Sequence, residues 1–384
     1  MPAASILIKP ASSNCNIDCS YCFYKKLCKT REAYSRGRMG EETLEALVKN
    51  AVDYADGLVS FAFQGGEPML AGLDFFRLAV SLEKKYAKKG LTIENTIQTN
   101  GTLIDDEWAR FFAEEDFLAG VSLDGPKKLH DSCRKSSGGG GTFTRVMDGI
   151  SLLNKYHVRT NTATVITEEI SHKAAYLYKF YKRNNFKYVQ VIPCMGNTWL
   201  TGGDIRAAEN EFSVRPESFG AFLCELFDLW YEDFIRGDDM EIRTFSNYAQ
   251  LAAGFAAEEC GMNGRCTCYF AVEADGSVYP CDFYCTDEYR LGDVNEPFSA
   301  LASSARAQEF VRGSEPLPED CRICPYLRLC RGGCTHWREQ ESRLNYFCKG
   351  YKAFFSHCEE RIDNLGHMIL SNLRRQAPSD FRSL

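Results

Sequence analysis

The 384-residue chain is 45% hydrophobic and 25% charged, which allows two or three domains with buried cores and excludes long disorder. Its 45 Lys and Arg against 52 Asp and Glu give a net charge of -7, which excludes an extended basic surface for nucleic acid. With 18 cysteines, no basic-then-apolar signal segment at Met1-Pro2-Ala3-Ala4-Ser5 and no long apolar run for a membrane, a cytoplasmic protein is expected, in which clustered thiols bind metal or do redox chemistry.

In chain order, β-branched runs predict strands at Ser5-Lys9, Val59-Phe63, Ile93-Gln98, Ala119-Leu123, Arg159-Val165 and Tyr188-Ile192. Between the first two, Leu44, Leu47, Val48, Ala51, Val52 and Ala55 recur at helical spacing. Six such βα units predict an α/β fold, a partial (β/α)6 TIM-like barrel, with its chemistry at the C-terminal strand ends. Gly138 to Gly141 reads as a flexible connector, because no Lys-Ser/Thr follows to make a phosphate loop. Residues 194 to 215 read as irregular. Phe219, Phe222, Leu223, Leu226, Phe227, Trp230, Tyr231 and Phe234 then mark an amphipathic helix. From Cys260 to Cys348 periodicity fades while cysteines crowd together, and a last helix is expected from Tyr351 to Arg375. The expected domains are therefore 1–235, a barrel with a connecting helix, 236–350, a small cysteine-rich domain folded around metal, and 351–384, a C-terminal helix.

Directly after the first strand comes Cys15-Asn16-Ile17-Asp18-Cys19-Ser20-Tyr21-Cys22. Iron–sulfur cubanes normally take four thiolates, so three on one loop leave one iron open to a small molecule. A zinc site or buried thiols are the competing explanation. The C-x3-C-x2-C spacing with an aromatic before the last Cys resembles the radical S-adenosylmethionine (SAM) superfamily. That resemblance implies a cluster on Cys15, Cys19 and Cys22, with SAM chelated by the open iron and cleaved to a 5'-deoxyadenosyl radical. It also makes Tyr21, Gly65, Gly66, Glu67, Ser122, Arg134 and Met195 the candidate SAM-binding residues. Gln64-Gly65-Gly66-Glu67-Pro68 follows the second strand, where glycines admit close backbone approach. Ser122 and Arg134 offer a hydroxyl and a guanidinium for the SAM carboxylate, although turn chemistry and a solvated charge explain them equally simply. Met195 lies beyond the sixth strand, against adenine or as a core filler.

The C-terminal third carries Cys260, Cys266, Cys281, Cys321, Cys324, Cys330, Cys334 and Cys348. This set resembles the SPASM iron–sulfur domain with an eighth ligand added. The resemblance implies two auxiliary [4Fe-4S] clusters, one on Cys260, Cys266, Cys281 and Cys334, the other on Cys321, Cys324, Cys330 and Cys348. Three [4Fe-4S] clusters and SAM are thus the expected cofactors, with full thiolate ligation suiting the auxiliary pair to electron relay; C-x2-C pairs also fit structural zinc. Cys28, Cys133, Cys194, Cys224, Cys268, Cys285 and Cys358 are left as buried small hydrophobes.

The segments Ile8-Lys9-Pro10-Ala11-Ser12-Ser13, Gln98-Thr99-Asn100-Gly101-Thr102, Cys260-Gly261-Met262-Asn263-Gly264 and Asp275-Gly276-Ser277-Val278-Tyr279-Pro280-Cys281-Asp282, with the Gly-Gly-Glu turn, resemble the anaerobic sulfatase-maturating enzymes from about residue 5 to 355. The resemblance implies oxidation of a Cys or Ser in a sulfatase Cys/Ser-x-Pro-x-Arg motif to formylglycine, on an unfolded or nascent sulfatase polypeptide. It makes Asp282 the candidate base and a flavodoxin or ferredoxin the electron donor, with Tyr24 and Gln64 near the cavity in unassigned roles. At ordinary values a carboxylate deprotonates a thiol only uphill, by about 6 kcal/mol, so hydrogen abstraction is expected before deprotonation. The alternatives are a radical maturase of another ribosomal peptide, disfavoured by only 14 residues before Cys15, and a non-catalytic iron–sulfur carrier or zinc-binding protein. No metal-ligand pair is found among the six histidines, and none is assigned a catalytic part.

Overall fold

The structure of the protein, a computed structural model, describes residues 3–196 and 210–376. The stretch 197–209, within the segment expected to be irregular, lies outside the described residues. The chain divides into two interleaved compact units, the described parts of Met1–Ala163 with Thr267–Gly313, and of Thr164–Cys266 with Ser314–Leu384.

The first unit opens with β1 (Ala4–Lys9), β2 (Ile17–Cys19) and α1 (Phe23–Cys28), followed by α2 (Glu41–Tyr54) and β3 (Leu58–Phe63). Alternation continues through α3 (Leu73–Tyr86), β4 (Thr92–Thr99), α4 (Asp106–Glu114) and β5 (Leu118–Ser122). After α5 (Lys127–Cys133), β6 (Arg134–Ser136) and α6 (Phe143–Lys155) comes β7 (Arg159–Ile166), which carries the chain into the second unit. The predicted apolar face of α2 is the buried one: Leu44, Leu47, Val48, Ala51 and Val52 are at most 1% exposed. Asp105 caps α4 by accepting from the Trp108 N–H at 2.9 Å. Under the sheet Phe63, Phe76, Phe112 and Phe117 are at most 1% exposed, each burial contributing about 2–3 kcal/mol.

Strands β1, β3, β4, β5 and β7 pair in parallel in that order. In the second unit α7 (Glu168–Ser171) and α8 (Ala174–Arg183) lead to β8 (Tyr188–Pro193), the sixth βα strand, and β9 (Glu241–Ile242) pairs parallel to it. This is the expected partial (β/α)6 arrangement. The Phe219-to-Phe234 stripe lies on the helix Pro216–Ile235, and the last helix runs Cys348–Gln376, three residues earlier than expected at its start. These two helices meet at glycines, for a Cβ on Gly350 would lie 2.1 Å from the Pro216 carbonyl oxygen.

The structure corrects three expectations. β5 ends at Ser122, so Leu123 is the first residue of the loop. Gly138 to Gly141 is an ordered turn, in which Gly139 N–H donates to Ser136 O and Ser136 N–H to Gly140 O, both at 2.8 Å. Finally, residues within the cysteine-rich stretch complete the N-terminal sheet. β10 (Phe270–Glu273) lies parallel to β1, pairing Ile6 with Phe270 and Lys9 with Glu273, and β11 (Ser277–Tyr279) and β12 (Gly292–Asp293) extend it antiparallel. Short strands of two to four residues leave too little alternation to read as periodicity.

Candidate active site

The C-terminal ends of β1, β3, β4 and β5 carry the first cysteine loop and its support. Part of that loop is a strand: β2 pairs antiparallel with β6, setting Cys19 opposite Arg134. Side-chain donors reach the thiols, Asn100 Nδ2 at 3.8 Å from Cys15 Sγ and Arg134 Nη1 at 3.8 Å from Cys19 Sγ. The Gly-Gly-Glu turn is stitched to the same loop, Gly66 N–H donating to Ser12 O and Glu67 N–H to Asn14 O, both at 2.8 Å. A Cβ on Gly66 would lie 2.0 Å from the Asn14 carbonyl oxygen, so only glycine fits there.

The side chains of this turn are used inward. Glu67 is fully buried and accepts from Met69 N–H (3.1 Å), Thr99 Oγ1 (2.8 Å) and Asn100 N–H (2.8 Å). Burial pushes its carboxyl up to about 7 against those three bonds. Arg134 gives Nε and Nη2 to Asp124, at 2.8 and 3.3 Å, and the Tyr21 hydroxyl donates to the same carboxylate. Ser122 Oγ accepts from Gln98 Nε2 at 3.0 Å. Asp124 N–H in turn donates to His130 Nδ1, whose Nε2 meets Thr142 Oγ1 at 2.9 Å. Burial pulls His130 down to about 4, so it is a neutral prop behind Asp124, a support the sequence reading missed.

Asp282 is 5% exposed and follows Cys281 directly. Its Oδ1 accepts from Lys9 Nζ, at the end of β1, and its Oδ2 from Gln64 Nε2 at 2.8 Å, just past β3. Lys9 is 1% exposed, with Nζ 3.9 Å from the centre of the Tyr24 ring. Burial acts to lower the ammonium, but the charges facing it, Asp282 first, hold it above its ordinary 10.5. The Tyr24 hydroxyl donates to Glu273 Oε1 on β10, and Arg31 Nη1 reaches the same oxygen at 2.8 Å. Tyr24, Gln64 and Asp282 are thus one array, and Lys9, Glu273 and Arg31 are members that sequence reasoning did not single out. Alternation along β1, in which Lys9 sits beside the buried Ile8, gives no sign of a charge needing a partner.

The other cysteines fall into separate places. In the second unit Cys321, Cys324, Cys330 and Cys348 line one partly open pocket, with Gly332 and Tyr351. Burial, reinforced by the neighbouring thiols, pushes Cys330 up to about 12. Among the described residues no three Cys, His, Asp or Glu side chains converge on a single-ion site. Four thiols around a cavity, costly as isolated thiolates, are the donor set an iron–sulfur cluster takes. Also in that unit, the Cβ position of Gly261 lies 3.1 Å from Cys334 Cβ, Cys260 is pushed up to about 11 by burial first and by Cys266 next, and Met195 is buried. Cys281 belongs to the first unit, where its Sγ lies 3.2 Å from the Tyr269 hydroxyl. The Cys15, Cys19 and Cys22 set fits a three-thiolate centre equally, since Asn100 and Arg134 already supply the N–H donors that thiolate sulfur attracts.

Family profiles match the Radical SAM superfamily over residues 10–180 and an iron–sulfur cluster-binding domain, SPASM, over residues 260–325. A cysteine-type anaerobic sulfatase-maturating enzyme of Clostridium perfringens (strain 13 / Type A) is 42% identical over 96% of this chain and 100% of its own. The chain belongs to the anaerobic sulfatase-maturating enzymes. A serine-type anaerobic sulfatase-maturating enzyme from Bacteroides thetaiotaomicron is 33% identical over 98% of this chain and 93% of its own. The solved structure of native anSMEcpe with bound AdoMet and Cp18Cys peptide superposes with a TM-score of 0.89 at 42% identity, covering 96% of this chain and 100% of that one. Streptococcus suis SuiB bound to S-adenosylmethionine, at 18% identity and a TM-score of 0.55 over 87% of this chain and 73% of that one, shares the fold.

As an anaerobic sulfatase-maturating enzyme, the chain is a radical SAM oxidoreductase, with a partial barrel, a SPASM domain and a C-terminal helix. No helix among the described residues is long and apolar enough to cross a membrane.

Proposed function

We propose that this enzyme oxidises the cysteine, or serine, of a sulfatase Cys/Ser-x-Pro-x-Arg motif to Cα-formylglycine, with Asp282 as the base. The observation that carries this reading is the buried Asp282 carboxylate, held at the ends of β1 and β3, the same ends that bear the Cys15 loop and the Gly65-Gly66 turn. Higher identity to the cysteine-type relative, 42% against 33%, favours cysteine as the substrate residue.

A [4Fe-4S] cluster on Cys15, Cys19 and Cys22 with SAM supplies, when bound, a 5'-deoxyadenosyl radical that takes a hydrogen atom from the substrate Cβ. Asp282 Oδ2 then accepts the S–H or O–H proton. Cys260, Cys266, Cys281 and Cys334 would hold one auxiliary [4Fe-4S] cluster and Cys321, Cys324, Cys330 and Cys348 the other, and these clusters would supply the acceptor for the released electron. For cysteine, water converts the resulting thioaldehyde to the aldehyde and releases hydrogen sulfide, whereas serine gives the aldehyde directly. The backbone of Gly65, Gly66 and Glu67 lines the SAM site beside the cysteine loop, to which Gly66 and Glu67 are hydrogen-bonded. Ser122, Arg134, Tyr21 and Met195 complete the SAM-binding set, with Tyr21 and Arg134 acting through their shared hold on Asp124. In this reading residues 1–235 form the radical SAM barrel and connecting helix, to whose sheet β10, β11 and β12 are added, the remainder of 236–350 forms the auxiliary-cluster domain, and the C-terminal helix follows from 351. The partners are an unfolded or nascent sulfatase in the cytoplasm and a flavodoxin- or ferredoxin-like donor.

The test is anaerobic reconstitution with iron and sulfide, SAM, a reductant and a Cys-x-Pro-x-Arg peptide deuterated at the cysteine Cβ. Deuterium is expected in 5'-deoxyadenosine, an aldehyde in the peptide, and about twelve irons per chain, four for each of three clusters. Asp282→Asn is expected to cleave SAM and yield little aldehyde; normal aldehyde yield from that variant overturns the base assignment.

A further inference from the structure

The two oxygens of Asp282 are held in different ways. Oδ1 accepts from a buried ammonium, Lys9, while Oδ2 accepts at 2.8 Å from the neutral amide of Gln64. Lys9 has little freedom. Its Nζ faces the Tyr24 ring at 3.9 Å, Tyr24 is tied through its hydroxyl to Glu273, and Arg31 Nη1 fixes that carboxylate from 2.8 Å. Gly65 closes over its stem, its Cβ position lying 3.2 Å from Lys9 Cβ. A buried ion pair is weak evidence for stability, since apolar replacement of both members is often neutral or stabilising. The residue at this strand end therefore needs another reason to be a lysine.

Resting on the reading of Asp282 as the base, we propose that Lys9 is a positioning residue for the oxidation: it commits Oδ1 and fixes the carboxylate's rotation, so that Oδ2, held by a displaceable amide, meets the substrate proton. The proton breaks from substrate sulfur or oxygen and bonds to Oδ2, and Gln64 turns to accept from the new O–H through its own Oε1. Lys9 itself exchanges nothing. The Tyr24, Glu273 and Arg31 array transmits rigidity to that ammonium, which ties the residue two places after Cys22 to the position of the base.

Carboxylate misplacement of about 1 Å is the kind of change that costs roughly 100-fold in a reaction step. The experiment measures 5'-deoxyadenosine and peptide aldehyde together in the reconstituted full chain, with the Cys-x-Pro-x-Arg peptide. In Lys9→Met, 5'-deoxyadenosine formation and peptide KM are expected to stay near wild type while aldehyde per 5'-deoxyadenosine falls at least roughly tenfold. Gln64→Ala is expected to lower that ratio much less, because Oδ2 stays aimed. Where Lys9→Met takes up no iron and cleaves no SAM, Lys9→Arg decides. Charge balance alone predicts a wild-type ratio in Lys9→Arg, whereas positioning predicts a reduced one, as the longer guanidinium shifts the carboxylate. A wild-type ratio in a folded Lys9→Met or Lys9→Arg, beside loss of aldehyde in Asp282→Asn, overturns the role of Lys9 and leaves the base assignment standing. Normal aldehyde in Asp282→Asn removes the base assignment first.

Discussion

Gly66 shows how a single missing side chain sets the site. The Cβ it lacks would fall 2.0 Å from Asn14 O and 2.7 Å from Asn14 C, backbone atoms that cannot swing aside. Gly66→Ala is expected to push the cysteine loop from its turn and so to cut both iron uptake and SAM affinity, by at least about tenfold for the latter. Iron analysis and equilibrium SAM binding check this, and an alanine variant that loads and binds normally would show that the loop yields easily. The motif Gly65-Gly66-Glu67 was legible from its order, but not the reason for each member. Glu67 is a carboxylate turned into the protein, where Met69, Thr99 and Asn100 consume it. Lys9 and Glu273 were not legible as partners, because nothing local marks a charge whose counterpart lies hundreds of residues away.

Among the elements, α3 and β4 are joined by a polar pair inside an apolar layer. Asn95 Nδ2 donates to Glu83 Oε2 at 2.7 Å, while Glu83 Oε1 and Asn95 Oδ1 have no partner. A proton on Glu83 Oε1 removes the charge that burial penalises there. Burial pushes Glu83 up to about 7 from an ordinary 4.5, in keeping with that proton. Between those two values the folded chain holds a proton that the unfolded chain has released, so this pair's stability is full below about pH 4.5 and is lost as pH rises to about 7. The total is on the order of 3 kcal/mol. Glu83→Gln keeps an oxygen for Asn95 Nδ2 and is neutral at every pH. Its melting temperature relative to wild type is expected to rise steadily across that window and then level off, which thermal unfolding at several pH values measures. The helices and strands carrying such pairs were mostly legible, since α2 and the Pro216–Ile235 helix show their buried faces as regular spacing. β10, β11 and β12 were not, at two to four residues each.

For the whole molecule, the six βα units and a cysteine-rich iron–sulfur segment were readable because both depend on order along the chain. The pairing of β10 with β1 was not, because it depends on a distant segment returning to fill an edge. That return makes the early barrel dependent on later sequence. A fragment of residues 1–235 lacks β10 and leaves β1 with one neighbour, β3, and Lys9 without Asp282. Such a fragment is expected to give no cooperative unfolding transition and to aggregate through its open edge. Circular dichroism melting and size-exclusion chromatography test it, and a monomeric fragment with a sharp transition would show that the first six strands suffice.

The span between Lys9 and Asp282 is 273 residues, and it sets a clock on biosynthesis. At roughly 5–20 residues per second, the ribosome needs about 14–55 s after making the lysine to deliver its counter-ion. For most of that interval the cysteine trio is already synthesised, attached to a strand with one flank bare, so metallocentre insertion into a finished scaffold waits for termination of translation to draw near. Oxidants and aggregation partners have the same half-minute to reach those thiols.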